Sequence, residues 1–469
     1  MASDVDATHT DHGEGRYAVL TPDWLLRGYA DRPAVLYDWR TGEVHALSAA
    51  GAYVARSCDG ATDFRSPLFL LSHTAMLDLM IERGMAVECP KGTPLDPRQK
   101  LRRASNVYLQ FANWTVTGRC NMKCRHCFME APSARYGELS TEATFRIIDE
   151  LERANVQRVH LTGGEPLLRD DIWDVIAALA ERRIGVHQIS TNGLLADDDA
   201  LARLRELDVD PIMHFSWDGV GSHDVMRGVG GVEGASLDAI RRAVGAGFRV
   251  TVTSSVDRHT WEGVVRSLEV MADAGVSEWH VGAPLGMGCW AGATTTLTLA
   301  EQADFSEAVL RRWLEMGKPF LVTLCGLYAG SPRDYLPLQE PLHRCSPDEL
   351  HCGALLSDTV YIMPDARIIP CPRFIDTPVQ DVMPSVLDVG LPEAWNDPGL
   401  REMVRVTKAQ VLQRNPECAA CDLFGECGAG CWALAYVATG DLLGRDPEAC
   451  ALFKSGYRQR LTDVAAAYT

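Results

Sequence analysis

Three cysteines stand in the string Cys120-Asn121-Met122-Lys123-Cys124-Arg125-His126-Cys127, between a predicted strand and a predicted helix. Three thiolates at that spacing can wrap three irons of a four-iron four-sulfur (4Fe-4S) cube and leave the fourth iron without a protein ligand. An iron corner left open in this way is a coordination site for a small molecule, much as a catalytic zinc keeps one position free. The same spacing also permits a zinc knuckle, or a cluster whose fourth ligand is remote. Eight more cysteines lie toward the end of the chain: Cys345, Cys352, Cys371, Cys418, Cys421, Cys427, Cys431 and Cys450. Eight thiolates divide without remainder into two fully ligated cubes suited to electron relay, or into a pair of structural zinc sites, for which Cys418-x-x-Cys421 has the spacing.

Four of the fifteen cysteines remain. Cys58 and Cys89 read as small buried apolar residues. Cys289, in Gly286-Met287-Gly288-Cys289, reads the same way, with a hydrogen-atom donor beside a cavity as the alternative. In a long chain without a secretory signal, such a count points to metal ligands or catalytic thiols sooner than to disulfides.

The elements that must position these groups follow from the pattern. At 469 residues the chain is long enough for two or three domains. The net charge of −18 argues against nonspecific binding to nucleic acid or to an anionic membrane. No run approaches the roughly 18 apolar residues of a membrane span, and residues 1–15 lack a signal pattern, so a cytoplasmic location is expected. In the first hundred residues, runs at 35–39 and 43–47 flank Arg40-Thr41-Gly42 as a hairpin. Ser48 caps a short helix ending near Cys58, and a second helix stops at Gly84. From about 107 to 330 the pattern alternates strand and helix, with short β-type runs at 107–111, 158–161, 186–190, 212–216, 250–253 and 279–281. Six βα units imply an α/β fold with a parallel sheet, too short to close as an eightfold barrel, with chemistry at the C-terminal strand ends. Beyond 344 the periodicity is sparse, and that region is expected to depend on metal for its fold. The expected domains are 1–100, 101–335 and 336–469.

The cysteine string resembles the signature of the radical S-adenosylmethionine (SAM) superfamily, built on a partial (β/α)6 TIM-type barrel. The resemblance implies that SAM chelates the open iron and is cleaved reductively to a 5′-deoxyadenosyl radical that abstracts hydrogen from substrate. Leu161-Thr162-Gly163-Gly164-Glu165-Pro166 at the end of the second strand matches the family's SAM-binding turn. By the same resemblance, and that to sulfatase-maturing members, His126, Gly163, Gly164, Glu165, Asn192, Ser216 and Arg227 are the expected SAM contacts, with Cys120, Cys124 and Cys127 holding the catalytic cluster. Arg227 sits one residue off the family's offset. His214 shares the strand parity of Ser216 and is read as a satisfied interior histidine, with a cavity-lining or proton-shuttling role as the alternative.

The C-terminal cysteines resemble the SPASM extension, which implies two auxiliary 4Fe-4S clusters and three clusters in all. Its interleaved ligation gives Cys345, Cys352, Cys371 and Cys431 to one, and Cys418, Cys421, Cys427 and Cys450 to the other. The N-terminal hairpin and helices resemble the winged-helix-like, PqqD-like domain that recognises precursor peptides, in which a leader adds as a strand to the sheet edge. Together these resemblances imply a maturase that oxidatively crosslinks a ribosomally made precursor peptide through a thioether, ether or carbon–carbon bond, with a flavodoxin or ferredoxin as reductant. Pro372 stands where sulfatase-maturing relatives carry a proton-accepting Asp, which disfavours formylglycine formation. The alternatives are a peptide epimerase using Cys289 or Cys325, an enzyme acting on a small-molecule cofactor precursor, and an iron–sulfur electron carrier or redox sensor that never cleaves SAM.

Overall fold

The computed structural model describes residues 15–330, 348–352 and 358–468. The chain folds as two compact units, Met1–Tyr108 and Leu109–Thr469. The described part of the cysteine-rich segment shares the second unit with the strand–helix repeat.

The first unit holds β1 (Ala18–Leu20), β2 (Trp24–Tyr29), β3 (Arg32–Asp38), β4 (Val44–Leu47), β5 (Ala86–Glu88) and β6 (Arg102–Arg103). β1 pairs with β5, and the other four form a sheet in the order β4-β3-β2-β6, so β4 is an edge. The expected hairpin is β3–β4. Its turn is closed by Asp38, whose side chain accepts from the N–H groups of Arg40 and Thr41. Ser48 caps α1 (Ala49–Ser57) by accepting the Gly51 N–H at 3.1 Å, and α2 (Leu71–Glu82) ends before Gly84. Leu26, Leu36, Val54, Phe64 and Leu77 bury against one another as the core. Sequence pattern missed β2 because all six of its residues are buried, which removes the alternation that marks a half-exposed strand.

In the second unit β7 (Phe111–Thr117), β8 (Arg158–Gly163), β9 (Gly185–Thr191), β10 (Ile212–Ser216), β11 (Val250–Ser255), β12 (Glu278–Gly282) and β13 (Leu321–Leu324) run parallel in chain order. β14 (Tyr328–Gly330) pairs with β13 at one edge; β15 (Thr359–Ile362) and β16 (Ile368–Ile369) extend the sheet beyond β7 at the other. The sheet is therefore open, with two more parallel strands than the six expected, β13 and β15, the latter parallel to β7. The first strand is also displaced from the expected 107–111. Tyr108 belongs to the first unit, where its ring meets Tyr29 edge-on at 5.0 Å and its N–H donates to Asp31. Its apolar character thus reflects that packing, and the strand proper begins at Phe111.

Helices cover the sheet as their apolar spacing dictates. α3 (Thr141–Arg153) buries Ile147, Ile148 and Leu151, and α4 (Ile172–Glu181) buries Ile172, Val175, Ile176 and Leu179. Arg169, just before α4, is buried and donates to the carbonyls of Val116 and Leu139, to Thr144 and to Asp171. One side chain thereby ties the end of β7 to the starts of α3 and α4. Beyond 358 the described helices are at most ten residues long, and Phe374, Trp395 and Trp432 are buried there. Val406, Val411, Cys418 and Ala429 form a small buried cluster within this segment, whose sparse periodicity reflects helix brevity. No described helix is long and apolar enough to cross a membrane.

Candidate active site

The loop after β7 carries the three cysteines and is fixed by backbone contacts. The N–H groups of Lys123 and Arg125 donate to the carbonyls of Arg227 and Met226, at 3.0 and 2.9 Å, and the Cys289 N–H donates to the Cys127 carbonyl at 3.0 Å. The turn after β8 packs directly on this loop. Gly164 donates to the Thr117 carbonyl and Glu165 to the Arg119 carbonyl, and a Cβ on Gly164 would stand 2.0 Å from that Arg119 oxygen. Glycine is required here by close approach of backbone to backbone.

Cys120, Cys124 and Cys127 line one cavity of about 380 Å³ together with His126, Gly163, Gly164, Asn192, Ser216 and Arg227. Of the residues expected at the site from sequence, only Glu165 is absent from the lining. Its side chain is fully buried and turned toward the loop after β9. Oε1 accepts from Thr191 Oγ1 and the Leu167 N–H, and Oε2 from the Asn192 N–H. Burial raises its carboxyl to about 7 against the pull of those donors. Asn192 then donates to Asn121 Oδ1 at 2.7 Å and reaches Cys120 Sγ at 3.8 Å.

Arg227 ends the short helix α5 (His223–Arg227) and is buried. Its Nη2 lies 2.7 Å from Asp218 Oδ2, and Nη1 donates to Cys124 Sγ at 3.5 Å. Asp218 is fully buried and accepts the Ser255 N–H. Sequence reasoning passed over Asp218, although it shares the parity of Ser216 at the end of β10 and precedes Arg227 on the same excursion of chain. Three polar atoms here are buried without a hydrogen-bond partner, Arg227 Nε, His126 Nδ1 and Asp218 Oδ2, the last in ion-pair contact with Arg227. Burial pulls the His126 imidazole down to about 4, so it is neutral near pH 7. Three sulfur donors, no fourth cysteine in the lining among the described residues, and the unsatisfied Arg227 Nε and His126 Nδ1 fit a cluster with one open corner and a polar ligand beside it.

Strand register builds a polar belt on the cavity face. Asn113 pairs with His160, His214 lies between Ser190 and Thr251, and Thr253, His280 and Thr323 follow. His160 binds Asn113 and Ser190 at 2.9 and 2.8 Å, and His214 binds Thr251 and Thr253 at 2.7 and 3.0 Å. Burial depresses the two imidazoles to about 3 and about 4. His214 is both a satisfied histidine and a residue lining the cavity.

Among the other cysteines, Cys418, Cys421, Cys427 and Cys450 line a second, smaller cavity with Phe424, Phe453, Arg445 and Lys454. The Cys371 thiol, raised to about 11 by burial, also feels Cys431 and Cys352. Cys345 lies outside the described residues. Among the described residues every cysteine is a free thiol, and no three metal-ligating side chains converge closely enough to share a single ion. Cys289 is exposed and neighbours the cysteine loop, whereas Cys325 is absent from the cavity lining.

The sequence profile of the radical SAM superfamily matches residues 114–288, which span β7 to the turn beyond β12. These residues form a radical SAM domain. The PqqA peptide cyclase of Granulibacter bethesdensis is 28% identical over 342 residues, 72% of this chain and 86% of its own length. The AdoMet-dependent heme synthase of Nitratidesulfovibrio vulgaris is 25% identical over 347 residues, 71% of this chain and 90% of that protein. Crystalline SuiB of Streptococcus suis bound to precursor peptide SuiA shares the fold of this chain. Its TM-score is 0.63 at 15% identity, covering 92% of this chain and 99% of SuiB. That coverage exceeds what the second unit alone supplies, so the likeness of fold reaches into the first.

Proposed function

We propose that the protein is a radical SAM maturase that oxidatively crosslinks a ribosomally made precursor peptide. The observation that carries this is the set of three cysteine side chains on the wall of one cavity whose lining, among the described residues, holds no fourth. When bound there, the cluster supplies the electron that breaks a sulfonium C–S bond of SAM and so starts hydrogen abstraction from substrate. The residues around it bind and orient. Gly163 and Gly164 give a wall without side chains, His126 and Ser216 offer polar atoms to SAM, and Asn192 is held in place by Glu165.

Two auxiliary clusters would take the electron released when the new bond forms. The cavity enclosed by Cys418, Cys421, Cys427 and Cys450 supports one of them, since thiols spread around a hollow suit a cube better than a point ion. Cys352, Cys371 and Cys431, with Cys345, are assigned to the other. The first unit is assigned to the leader, which would add to the free edge of β4, so that main-chain hydrogen bonds give affinity and side-chain pockets selectivity. We assign the enzyme to the cytoplasm, with a flavodoxin or ferredoxin as reductant.

Kinship to a peptide cyclase and kinship to a heme synthase support different substrates, and the first unit favours the peptide. Anaerobically reconstituted protein given dithionite and SAM should release 5′-deoxyadenosine and methionine, and Cys124→Ala should abolish this. Co-expression with a short precursor gene should remove two hydrogens from the peptide. Deleting residues 1–108 should stop peptide modification while SAM cleavage persists. Persistent turnover of a tetrapyrrole by the truncated chain would instead assign a small-molecule substrate.

A further inference from the structure

The three cluster cysteines meet different donors. Cys120 Sγ accepts the Met122 N–H at 3.4 Å, Cys127 Sγ accepts the Ala131 N–H at 3.3 Å, and Cys124 Sγ accepts Nη1 of Arg227 at 3.5 Å. The donor to Cys124 alone carries a full charge, and its side chain is only 7% exposed. Its position is built. Backbone bonds from Lys123 and Arg125 to the carbonyls of Arg227 and Met226 clamp the end of α5 on both sides of Cys124. Gly228, at φ +66°, lets the chains touch, since a Cβ there would stand 2.2 Å from the Lys123 oxygen. The guanidinium is also held from behind by the fully buried Asp218. Nη2 is committed to a carboxylate and Nη1 to a sulfur, which leaves Nε unpartnered but no complete edge of the guanidinium for a bidentate clamp on the carboxylate of SAM.

Resting on the reading of the three-cysteine site as a cluster site, we propose that Arg227 is a positioning residue that sets how readily that cluster accepts an electron, with Asp218 moderating its charge. Reduction adds negative charge that is shared with the thiolate sulfurs. A desolvated cation hydrogen-bonded to one sulfur stabilises the reduced form more than the oxidised form, and low surrounding polarity enlarges the effect. Asp218 screens the cation and keeps the potential from rising too far, so the reduced cluster remains a strong donor. No bond is made or broken in this role.

The test uses full-length, anaerobically reconstituted wild type, Arg227→Gln, Arg227→Lys and Asp218→Asn, with iron and sulfide counted for each. Potentials are read by paramagnetic-resonance titration without SAM, and the signal that added SAM perturbs identifies this cluster. Arg227→Gln should lower the potential, with at least a tenfold fall in the reduced-to-oxidised ratio at fixed applied potential, about 59 mV for one electron. Arg227→Lys should recover part of that loss, and Asp218→Asn should raise the potential. An unchanged potential in Arg227→Gln with weakened SAM binding would make Arg227 a SAM contact and overturn the proposal. If Arg227→Gln fails to hold its iron, Asp218→Asn decides, because an unchanged potential there is equally fatal. Wild type that binds no SAM-perturbed cluster would defeat the functional reading itself, a distinct outcome.

Discussion

The carboxylate of Glu165 accepts the backbone N–H of Asn192 at 2.7 Å, which couples the turn after β8 to the loop after β9. Both carboxylate oxygens are engaged, by three donors in all. In Glu165→Gln one oxygen becomes an NH2, which must face a backbone N–H in either orientation. Leaving one such buried donor unsatisfied costs about 1–3 kcal/mol. Because Asn192 reaches on to Asn121 and Cys120, the damage passes to the cluster loop. The apoprotein should unfold at a lower denaturant midpoint, and reconstitution should yield less iron per chain. Unchanged values of both would show that Glu165 does not hold this loop.

Gly164 should tolerate no side chain. An alanine methyl would lie 2.0 Å from the Arg119 carbonyl oxygen and 3.0 Å from Cys120 Cβ, so the cysteine loop itself must move. Backbone cannot yield as a flexible side-chain tip can, and overpacking of this kind costs about 1–3 kcal/mol. Gly164→Ala is expected to fold, to reconstitute poorly and to lose at least a hundredfold in SAM cleavage, since small displacements of reacting groups are costly. Wild-type cleavage in that variant would contradict the geometry.

The cysteine loop and the glycine turn were legible in the sequence because their chemistry is local: spacing, and placement after a strand, define each. Strand parity likewise placed Ser216 and His214 on one face, and both line the cavity. The pairing of Arg227 with Asp218 and Cys124 was not legible, because it depends on how the excursion after β10 folds back on the loop after β7. The direction of the Glu165 side chain was not legible for a related reason. A conspicuous acid beside two glycines suggests a ligand contact, yet its direction is set by three donors contributed by Leu167, Thr191 and Asn192. The displaced first strand shows that an apolar run reports burial without saying which unit buries it.

The belt histidines should make the fold acid-sensitive. His160 and His214 are neutral in the folded chain, with pKa values of about 3 and about 4 against an ordinary 6.5. Below 6.5 the unfolded chain takes up protons that the folded chain refuses, so stability falls with pH from 6.5 toward 4. Each contributes a loss of about 1 kcal/mol between pH 6.5 and 5.5. Glu165, raised to about 7, acts with the opposite sign, since its share of stability is full below 4.5 and fades toward 7. Apoprotein midpoints across pH 5–7 should fall on acidification, and His214→Gln should flatten that slope. An identical slope in the variant would mean that His214 is solvated and free to protonate.

Cys418 offers a test of the electron path that leaves the first cavity alone. It lines the second cavity with Cys421, Cys427 and Cys450, and none of the four lines the first. If this hollow holds a cube, Cys418→Ala removes one of four thiolate ligands and lowers iron from about twelve to about eight atoms per chain. SAM cleavage with dithionite should persist, because the open corner at Cys120, Cys124 and Cys127 is untouched. Crosslinking releases one electron that must leave the substrate, so loss of two hydrogens from the peptide should fall at least tenfold while 5′-deoxyadenosine still accumulates. That uncoupling is what separates a relay from a structural prop, since a prop would take SAM cleavage down with it. Unchanged iron accompanied by stoichiometric zinc would assign the hollow to a structural ion and remove the oxidising role given to it.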